Sequence, residues 1–193
     1  TPELVLSQPN VSYLHSVPWR PGMDEKDVAN LSWVVAQFNR MRVDRLIIGE
    51  TRGKEFADFL TAANSGMEGS LTTIHANDPN RALDKMTSFA QKGNPSQPVR
   101  SINTDIASSV DIVIQLGVFD GQHRITHIQE ITEIVDNTDA ANITTASLYI
   151  YNKEGDHWVK EESLTDAFRR RLKTKGIDIS PFTEKSVGST LIS

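Results

Sequence analysis

The apolar positions in the first part of the chain alternate between two spacings. Short apolar or β-branched runs occur at residues 46–48 and 70–74, and segments with apolar side chains three and four residues apart occur at 24–41 and 54–65. A short apolar run bounded by turn signals is typical of a buried strand in a parallel sheet, and the longer spacing is typical of an amphipathic helix. The alternation therefore predicts strand–helix–strand units in a mostly parallel sheet.

Polar residues, glycines and prolines bound the next predicted elements. Asp78 followed by Pro79 predicts a helix start, with an oxygen acceptor at the N-cap and proline at the first helical position. The same spacing rules predict further elements, which are a strand at 11–17, a loop at 93–98, a helix at 99–110 and a strand at 111–116.

Beyond residue 117 the pattern becomes that of antiparallel strands. Aspartate and glycine are adjacent at 120–121 and at 155–156, and such pairs are hairpin-turn signals. Strands are predicted at 124–135 and 147–151, with a polar loop at 136–145 between them. This part of the chain is therefore predicted to be an antiparallel appendage on the parallel sheet.

The last predicted element is a helix. Ser163 with Asp166 three residues later resembles a capping box that opens it, and Gly176 closes it. We predict an α/β fold in three parts, which are a mostly parallel core at 1–116, the β-hairpin appendage with its closing helix at 117–182, and a disordered polar tail at 183–193.

Two polar side chains follow the two predicted parallel strands. Glu50 closes the run that begins at Leu46, and His75 directly follows Ile74. Because ligands bind outside the carboxyl ends of strands in open α/β sheets, we expect Glu50 and His75 at one edge, where a carboxylate suits the orientation of a water or a metal-bound ligand. Two simpler interpretations remain open: Glu50 caps the helix that follows it, or His75 is a structural histidine.

The residues around Glu50 and His75 resemble a known family. Residues 40–53, RMRVDRLIIGETRG, resemble the Walker B region of the bacterial secretion ATPases, and residues 66–77, GMEGSLTTIHAN, resemble their His box. These proteins are P-loop motors of type II and type IV secretion and of pilus assembly and retraction. The resemblance points to the branch that serves Tad/Flp-type pili and conjugative type IV secretion, and it extends from Glu3 to about Phe182.

Two positions qualify the resemblance. Gly49 stands in place of the first Walker B acid of other P-loop proteins, as it does in this family. Val43 stands where the family more often has proline, which is a difference within a predicted loop. The resemblance implies a RecA-like P-loop ATPase core.

The resemblance also implies roles for individual residues. Glu50 would orient the water that attacks the γ-phosphate, and Arg52 would orient Glu50 through a charge-assisted hydrogen bond. His75 would contact the γ-phosphate and couple its loss to domain movement. Glu3, in the tail of an acidic Asp box, would help to hold magnesium-bound waters and is a second candidate for the general base. Arg40 would act at a subunit boundary near the nucleotide.

The phosphate-binding loop of such a motor is missing from this sequence. That loop has the pattern G-x-x-x-x-G-K-[ST], whose backbone amides and lysine bind phosphate. The segment from Gly49 to Lys54 has its glycines one position too close, and Glu55 follows the lysine. We therefore expect the chain to begin within the Asp box, to form the C-terminal half of a motor, and to be inactive by itself.

The family resemblance implies ATP and Mg²⁺ as ligands and a hexameric ring as the assembly. Its expected partners are copies of itself and an inner-membrane platform or secretion-channel protein, with a cytoplasmic location at the inner membrane. A function of another class remains open, in which the chain is a catalytically dead module that assembles with or regulates a complete secretion ATPase.

Composition narrows these possibilities. No stretch approaches the roughly 20 apolar residues that span a bilayer, and the absence of cysteine excludes disulfides and thiolate metal sites. A net charge of −5 argues against nonspecific nucleic-acid binding. The basic cluster at 169–175 is predicted to be a solvated helix end, with a DNA or lipid contact as the alternative.

Other pairs of reactive residues give weaker evidence for a metal or catalytic site. His123 and His127 lie in a predicted strand, where four residues span about 13 Å, so shared metal ligation is not expected. Ser65 and Ser70 lie near His75 in sequence, but neither has the context of a nucleophile elbow.

Overall fold

The computed structural model describes residues 4–17, 20–24, 29–135 and 142–180. The chain forms two compact units that divide between Ser109 and Val110. The first unit contains helices and a parallel pair of strands, and the second contains a four-stranded antiparallel sheet and a helix. The mixed α/β character that we predict is therefore confirmed, while the assignment of a RecA-like core remains a proposal.

The described residues of the first unit form six regular elements. In chain order they are α1 Leu31–Met41, β1 Ile47–Ile48, α2 Glu55–Asn64, β2 Leu71–Thr72, α3 Pro79–Gly93 and α4 Val99–Ser109. Its core consists of buried apolar side chains from the helices and from the segment that leads into β1, among them Val35, Leu46, Phe56, Ala62, Ile102 and Ile106. Burial of these side chains provides the main driving force for the unit to fold.

The two short strands confirm the predicted parallel pairing. Ile47 lies opposite Leu71 and Ile48 lies opposite Thr72, with α2 as the crossover between them. The regular ladder is shorter than the apolar runs that predict it. The start of α3 is as predicted, because the Asp78 side chain accepts a hydrogen bond from the Arg81 amide at 2.9 Å.

Two predictions for the first unit are wrong. Residues 11–17 form no strand, although the Val17 amide donates to the Ala29 carbonyl at 2.8 Å. Helix α1 begins at Leu31 rather than at 24, because the Asn30 side chain accepts a hydrogen bond from the Trp33 amide at 2.9 Å and sets the N-cap there. Residues 25–28 of the predicted helix lie outside the described residues.

The second unit is an antiparallel sheet. Its strands, β3 Ile112–Phe119, β4 Gln122–Val135, β5 Asn142–Asn152 and β6 His157–Lys160, pair in chain order. Because β3 pairs with β4, the strand that we predict at 111–116 as the last element of the core is part of the antiparallel sheet. The predicted turn between them is confirmed, since Asp120 and Gly121 both have positive φ, at 50° and 77°.

The rest of the second unit differs from the prediction at two boundaries. Strand β5 begins at Asn142, so the end of the predicted polar loop is strand; residues 136–141, like 183–193, lie outside the described residues. Helix α5, Asp166–Thr174, has Thr165 rather than Ser163 as its N-cap. Gly176, at a φ of 72°, follows the end of α5 as predicted.

No helix in the described part of the chain is both long enough and apolar enough to cross a membrane.

Candidate functional site

The carboxylate of Glu50 lies between two cationic or potentially cationic side chains. The Arg52 guanidinium donates to its Oε2, and His75 Nε2 lies 3.0 Å from its Oε1. The Glu50 side chain is 15% exposed, whereas those of Arg52 and His75 are 77% and 86% exposed. The expectation that Glu50 and His75 share one edge is confirmed. The site thus combines a largely buried carboxylate with two exposed side chains that can bind an anion.

The electrostatics of this cluster favour an ionised Glu50. The hydrogen bond from Arg52 holds the pKa of the Glu50 carboxyl below its ordinary value. Desolvation opposes this shift, and the charges of Arg52 and His75 add to the lowering. A carboxylate in this form can accept a hydrogen bond from water, which is the requirement for orienting a nucleophile.

A pair of threonines continues the strand pairing towards the site. The Thr73 hydroxyl donates to the Gly49 carbonyl at 2.5 Å, and the Thr51 amide donates to the Thr73 carbonyl at 2.9 Å. Thr51 is only 1% exposed, so its backbone is fixed within the unit. These bonds hold Glu50 on one chain segment at a defined position against His75 on the other.

Glu55, at the start of α2, shapes the turn that carries Arg52. Its Oε1 accepts hydrogen bonds from the amides of Arg52 and Gly53 at 2.6 and 2.9 Å. An acid in the first turn of a helix also interacts favourably with the helix dipole. The N-cap of α2, Lys54, makes no side-chain capping bond, and the Glu50 carboxylate binds the side chains of Arg52 and His75 rather than the start of α2.

Helix α3 holds the segment that carries His75. The Lys85 ammonium donates to the His75 carbonyl at 2.6 Å, and Asp78 caps the helix three residues after His75. The backbone of His75 is thus bonded to α3 through Lys85 while its imidazole remains exposed. An exposed imidazole next to a carboxylate is not a core histidine.

The remaining predicted site residues lie apart from this cluster or outside the described residues. Arg40 is exposed in the last turn of α1, and in the described residues no side-chain hydrogen bond or ion pair links it to Glu50, Arg52 or His75. Glu3 lies outside the described residues. Within the described ranges, no group of three or more histidines, aspartates and glutamates could hold a metal ion.

The weaker sequence candidates have structural partners. Ser65 donates to the Thr61 carbonyl at 2.7 Å and Ser70 donates to the Met67 carbonyl at 2.6 Å, so neither hydroxyl is directed at His75. His123 and His127 lie in β4, where they are opposite Val118 and Gln115.

The basic cluster of α5 contains two ion pairs. Arg169 pairs with Asp166 at 2.5 Å, and Arg171 pairs with Asp111. Two of its arginines are thus engaged within the second unit, which favours the interpretation of a helix end.

Four supporting residues were missed by the sequence analysis, namely Thr51, Glu55, Thr73 and Lys85. Only Glu55 has a recognisable sequence signal, because acids are favoured in the first turn of a helix, where they interact with the helix dipole. The other three act through backbone atoms of residues distant in sequence, which no local pattern indicates.

The comparisons with known proteins agree with one another. The family model described as "Type II/IV secretion system protein" matches residues 3–155. A Mycobacterium tuberculosis protein named for conjugal transfer is 34% identical over 95 residues, which cover 49% of this chain and 26% of that protein. The type IV secretion system protein VirB11 of Bartonella henselae is 30% identical over 130 residues, covering 66% of this chain and 36% of that protein.

A solved structure is also similar. The VirB11 ATPase from the Brucella suis type IV secretion system, crystallised in complex with sulphate, has 26% sequence identity and a TM-score of 0.47, with 50% of this chain and 30% of that chain covered. The chain therefore spans roughly a quarter to a third of the length of the relatives named here, which are covered to 26%, 36% and 30%.

Proposed function

Because the chain belongs to the family of type II/IV secretion system proteins, we propose that it is the C-terminal half of an ATPase motor that powers protein secretion or pilus assembly and retraction. The observation that carries this proposal is the cluster of Glu50, Arg52 and His75 at the ends of two parallel segments. The proposal extends to a RecA-like core and to a hexameric ring, the assembly that the family resemblance implies.

In the proposed reaction, Glu50 orients the attacking water. Hydrolysis of a γ-phosphate depends on positioning and on charge neutralisation more than on covalent chemistry. The Glu50 carboxyl, whose pKa is lowered further by Arg52, is ionised at neutral pH, so that it accepts a hydrogen bond from water and aligns the oxygen lone pair with phosphorus. Both carboxylate oxygens retain further lone pairs beside their bonds to Arg52 and His75.

His75 and Arg52 have complementary roles in this proposal. Arg52 fixes the orientation of the carboxylate, and its exposed guanidinium offsets negative charge that develops on the substrate. His75 binds Glu50 through Nε2 while its ring is exposed, so it is placed to contact the γ-phosphate and to respond when that phosphate leaves. Arg40 remains a proposal for the subunit boundary, since in the described ranges no hydrogen bond or ion pair links it to Glu50, Arg52 or His75.

Magnesium is the expected cofactor of such an ATPase, and Glu3 is the residue that we propose for the magnesium-bound waters. The described residues alone do not define a metal site, because they provide no cluster of three potential ligands. No step of the proposed reaction is therefore assigned to the metal.

The proposed partners follow from the family. They are further copies of the chain in a ring and an inner-membrane platform or secretion-channel protein, with a cytoplasmic position at the inner membrane. Nucleic acid is not a proposed partner, because the net charge is −5 and two arginines of the basic cluster are paired with acids.

A substitution in the intact gene product tests the role of Glu50. Glu50→Gln removes the charge but keeps the size of the side chain, so nucleotide binding should persist while turnover falls by about 10²- to 10⁴-fold, the usual contribution of general base catalysis. Steady-state phosphate release and binding of a fluorescent ATP analogue measure the two quantities.

Glu154→Gln is the matched control, because Glu154 is an exposed acid in the turn before β6. It should leave both quantities unchanged. Turnover that survives Glu50→Gln would contradict the assignment of Glu50, and an intact wild-type protein that binds no nucleotide would contradict the motor itself.

A further inference from the structure

The strand pairing changes its register immediately before Glu50. Pairing of Ile47 with Leu71 and of Ile48 with Thr72 would, if continued, bring the Glu50 amide to the Thr73 carbonyl. The Thr51 amide occupies that position instead, at 2.9 Å. The first segment therefore accommodates one extra residue between Ile48 and Thr51, which is the definition of a β-bulge.

A bulge of this kind redirects the side chains that it carries. Bulges occur next to active sites, where they change the direction of a side chain relative to the regular pleat. Here the extra residue lies in the Gly49–Glu50 pair, so the bulge determines where the Glu50 carboxylate points. The carboxylate meets His75 Nε2 at 3.0 Å in this arrangement.

Thr73 binds both sides of the bulge. Its hydroxyl donates to the Gly49 carbonyl at 2.5 Å, on the side of the bulge that precedes Glu50. Its carbonyl accepts from the Thr51 amide at 2.9 Å and also lies 3.3 Å from the Thr51 hydroxyl. One residue thus closes the bulge before and after Glu50.

We propose that Thr73 is a positioning residue of the site, whose hydroxyl holds the bulge closed and thereby places the Glu50 carboxylate against His75. This inference rests on the proposed ATPase function. Thr73 acts through the backbone of Gly49 and Thr51 and touches neither water nor nucleotide in the mechanism.

The fold by itself does not require a hydroxyl at this position. Thr73 is exposed, and valine has the same branched shape and a comparable preference for strands. Thr73→Val therefore removes the bond to the Gly49 carbonyl with little other change, and Thr73→Ser keeps a hydroxyl. Thr72→Val is the matched control, because the neighbouring Thr72 hydroxyl donates to the Thr51 hydroxyl at 3.3 Å and not to Gly49.

The experiment compares these three variants in the intact protein by two readouts. Hydrogen exchange at the Thr51 amide reports whether the bulge is closed, and Thr73→Val should accelerate it roughly fivefold to tenfold, as expected for the loss of one hydrogen bond. Steady-state kinetics should show kcat reduced by about a hundredfold with the KM for ATP unchanged, because misplacement of a catalytic group by about 1 Å has that effect. Thr73→Ser and Thr72→Val should resemble the wild type in both readouts.

The outcomes separate this inference from the proposed function. Unchanged Thr51 exchange in Thr73→Val shows that the hydroxyl does not hold the bulge, and it overturns the inference whatever the activity. Faster exchange with unchanged kcat, in a protein whose turnover Glu50→Gln abolishes, overturns the positioning role and leaves the motor intact. Turnover that survives Glu50→Gln overturns both.

Discussion

The pKa of the Glu50 carboxyl depends on a neighbour two residues away. Arg52 contributes the largest part of the lowering of the Glu50 pKa, through its hydrogen bond to the carboxylate. We therefore expect Arg52→Ala to raise the Glu50 pKa towards its ordinary value, because desolvation then acts with less opposition. Titration of the Glu50 side-chain carboxyl by ¹³C NMR measures the change.

Arg81→Ala is a matched control for this titration, since Arg81 is another exposed arginine whose carboxylate partner, Asp78, is three residues away in the same helix start. It should leave the pKa of the Glu50 carboxyl unchanged. A Glu50 pKa that does not move in Arg52→Ala would show that the arginine does not lower the pKa of the acid.

The same shift predicts a dependence of stability on pH. Because the folded-state pKa of Glu50 is lowered, its contribution to stability is present above the ordinary glutamate pKa and is lost as pH falls through the lower, folded-state value. Arg52→Ala should bring the folded-state pKa of Glu50 closer to its ordinary value, so the free energy of unfolding should depend less on pH in the acidic range. Urea unfolding at a series of pH values, with Arg81→Ala in parallel, measures this dependence. An unchanged dependence on pH in Arg52→Ala would contradict the prediction.

At this scale the sequence predicts the side chains of the proposed site but not the residues that support them. Glu50 and His75 are identified because strand-end polar groups leave a local signal. Thr73 leaves none, since its role depends on a register change 24 residues away at Gly49. A threonine in a strand has the same local preference whether or not its hydroxyl closes a bulge.

At the scale of elements, the start of helix α5 is tied to the sheet by a buried acid. Glu130, in β4, is 2% exposed, and it accepts hydrogen bonds from the Thr165 amide and hydroxyl at 2.9 and 2.5 Å. The Thr165 hydroxyl also accepts from the Phe168 amide at 3.2 Å. Thr165 is therefore both the cap of α5 and a buried hydrogen-bond partner of β4.

Thr165→Val should destabilise the second unit by about 1–3 kcal/mol, because it removes the cap and leaves one buried carboxyl oxygen without its hydroxyl partner. Thr165→Ser should retain most of the stability. Backbone hydrogen exchange of α5 measures the difference, since its amides report opening of this helix.

Ser163→Ala distinguishes the observed cap from the predicted one. Ser163 is exposed, so the structure predicts an effect within about 0.5 kcal/mol, whereas a capping box at Ser163 would give a clear loss. Equal destabilisation by Ser163→Ala and Thr165→Val would contradict the assignment of the cap.

Elements whose boundaries depend on nearby residues are predicted well, and those that need a distant partner are not. Asp78 and Pro79 start α3 because capping involves residues within one turn. Residues 11–17 have the composition of a strand but pair with no strand in the described ranges. Likewise, β3 pairs with β4, although its apolar run fits a parallel strand equally well.

At the scale of the whole molecule, the two units carry different parts of the proposed motor. The unit that ends at Ser109 contains Glu50, Arg52 and His75, and the unit that begins at Val110 contains the antiparallel sheet and α5. The site that we propose for water activation therefore lies within the first unit. A phosphate-binding loop is needed in addition, because none of these side chains replaces the backbone amides and lysine that bind the phosphates.

This requirement leads to a prediction for the 193-residue chain itself. The chain alone should not hydrolyse ATP, whereas the intact gene product should hydrolyse ATP and assemble into rings. Phosphate release together with mass photometry measures both properties in the two proteins. Turnover by the chain alone at the rate of the intact protein would show that the phosphate-binding loop is dispensable. The alternative outcome is that neither protein hydrolyses ATP and that the chain associates with a complete secretion ATPase. This result would identify the chain as a regulatory module, in which Glu50 and His75 are paired without acting on a phosphate.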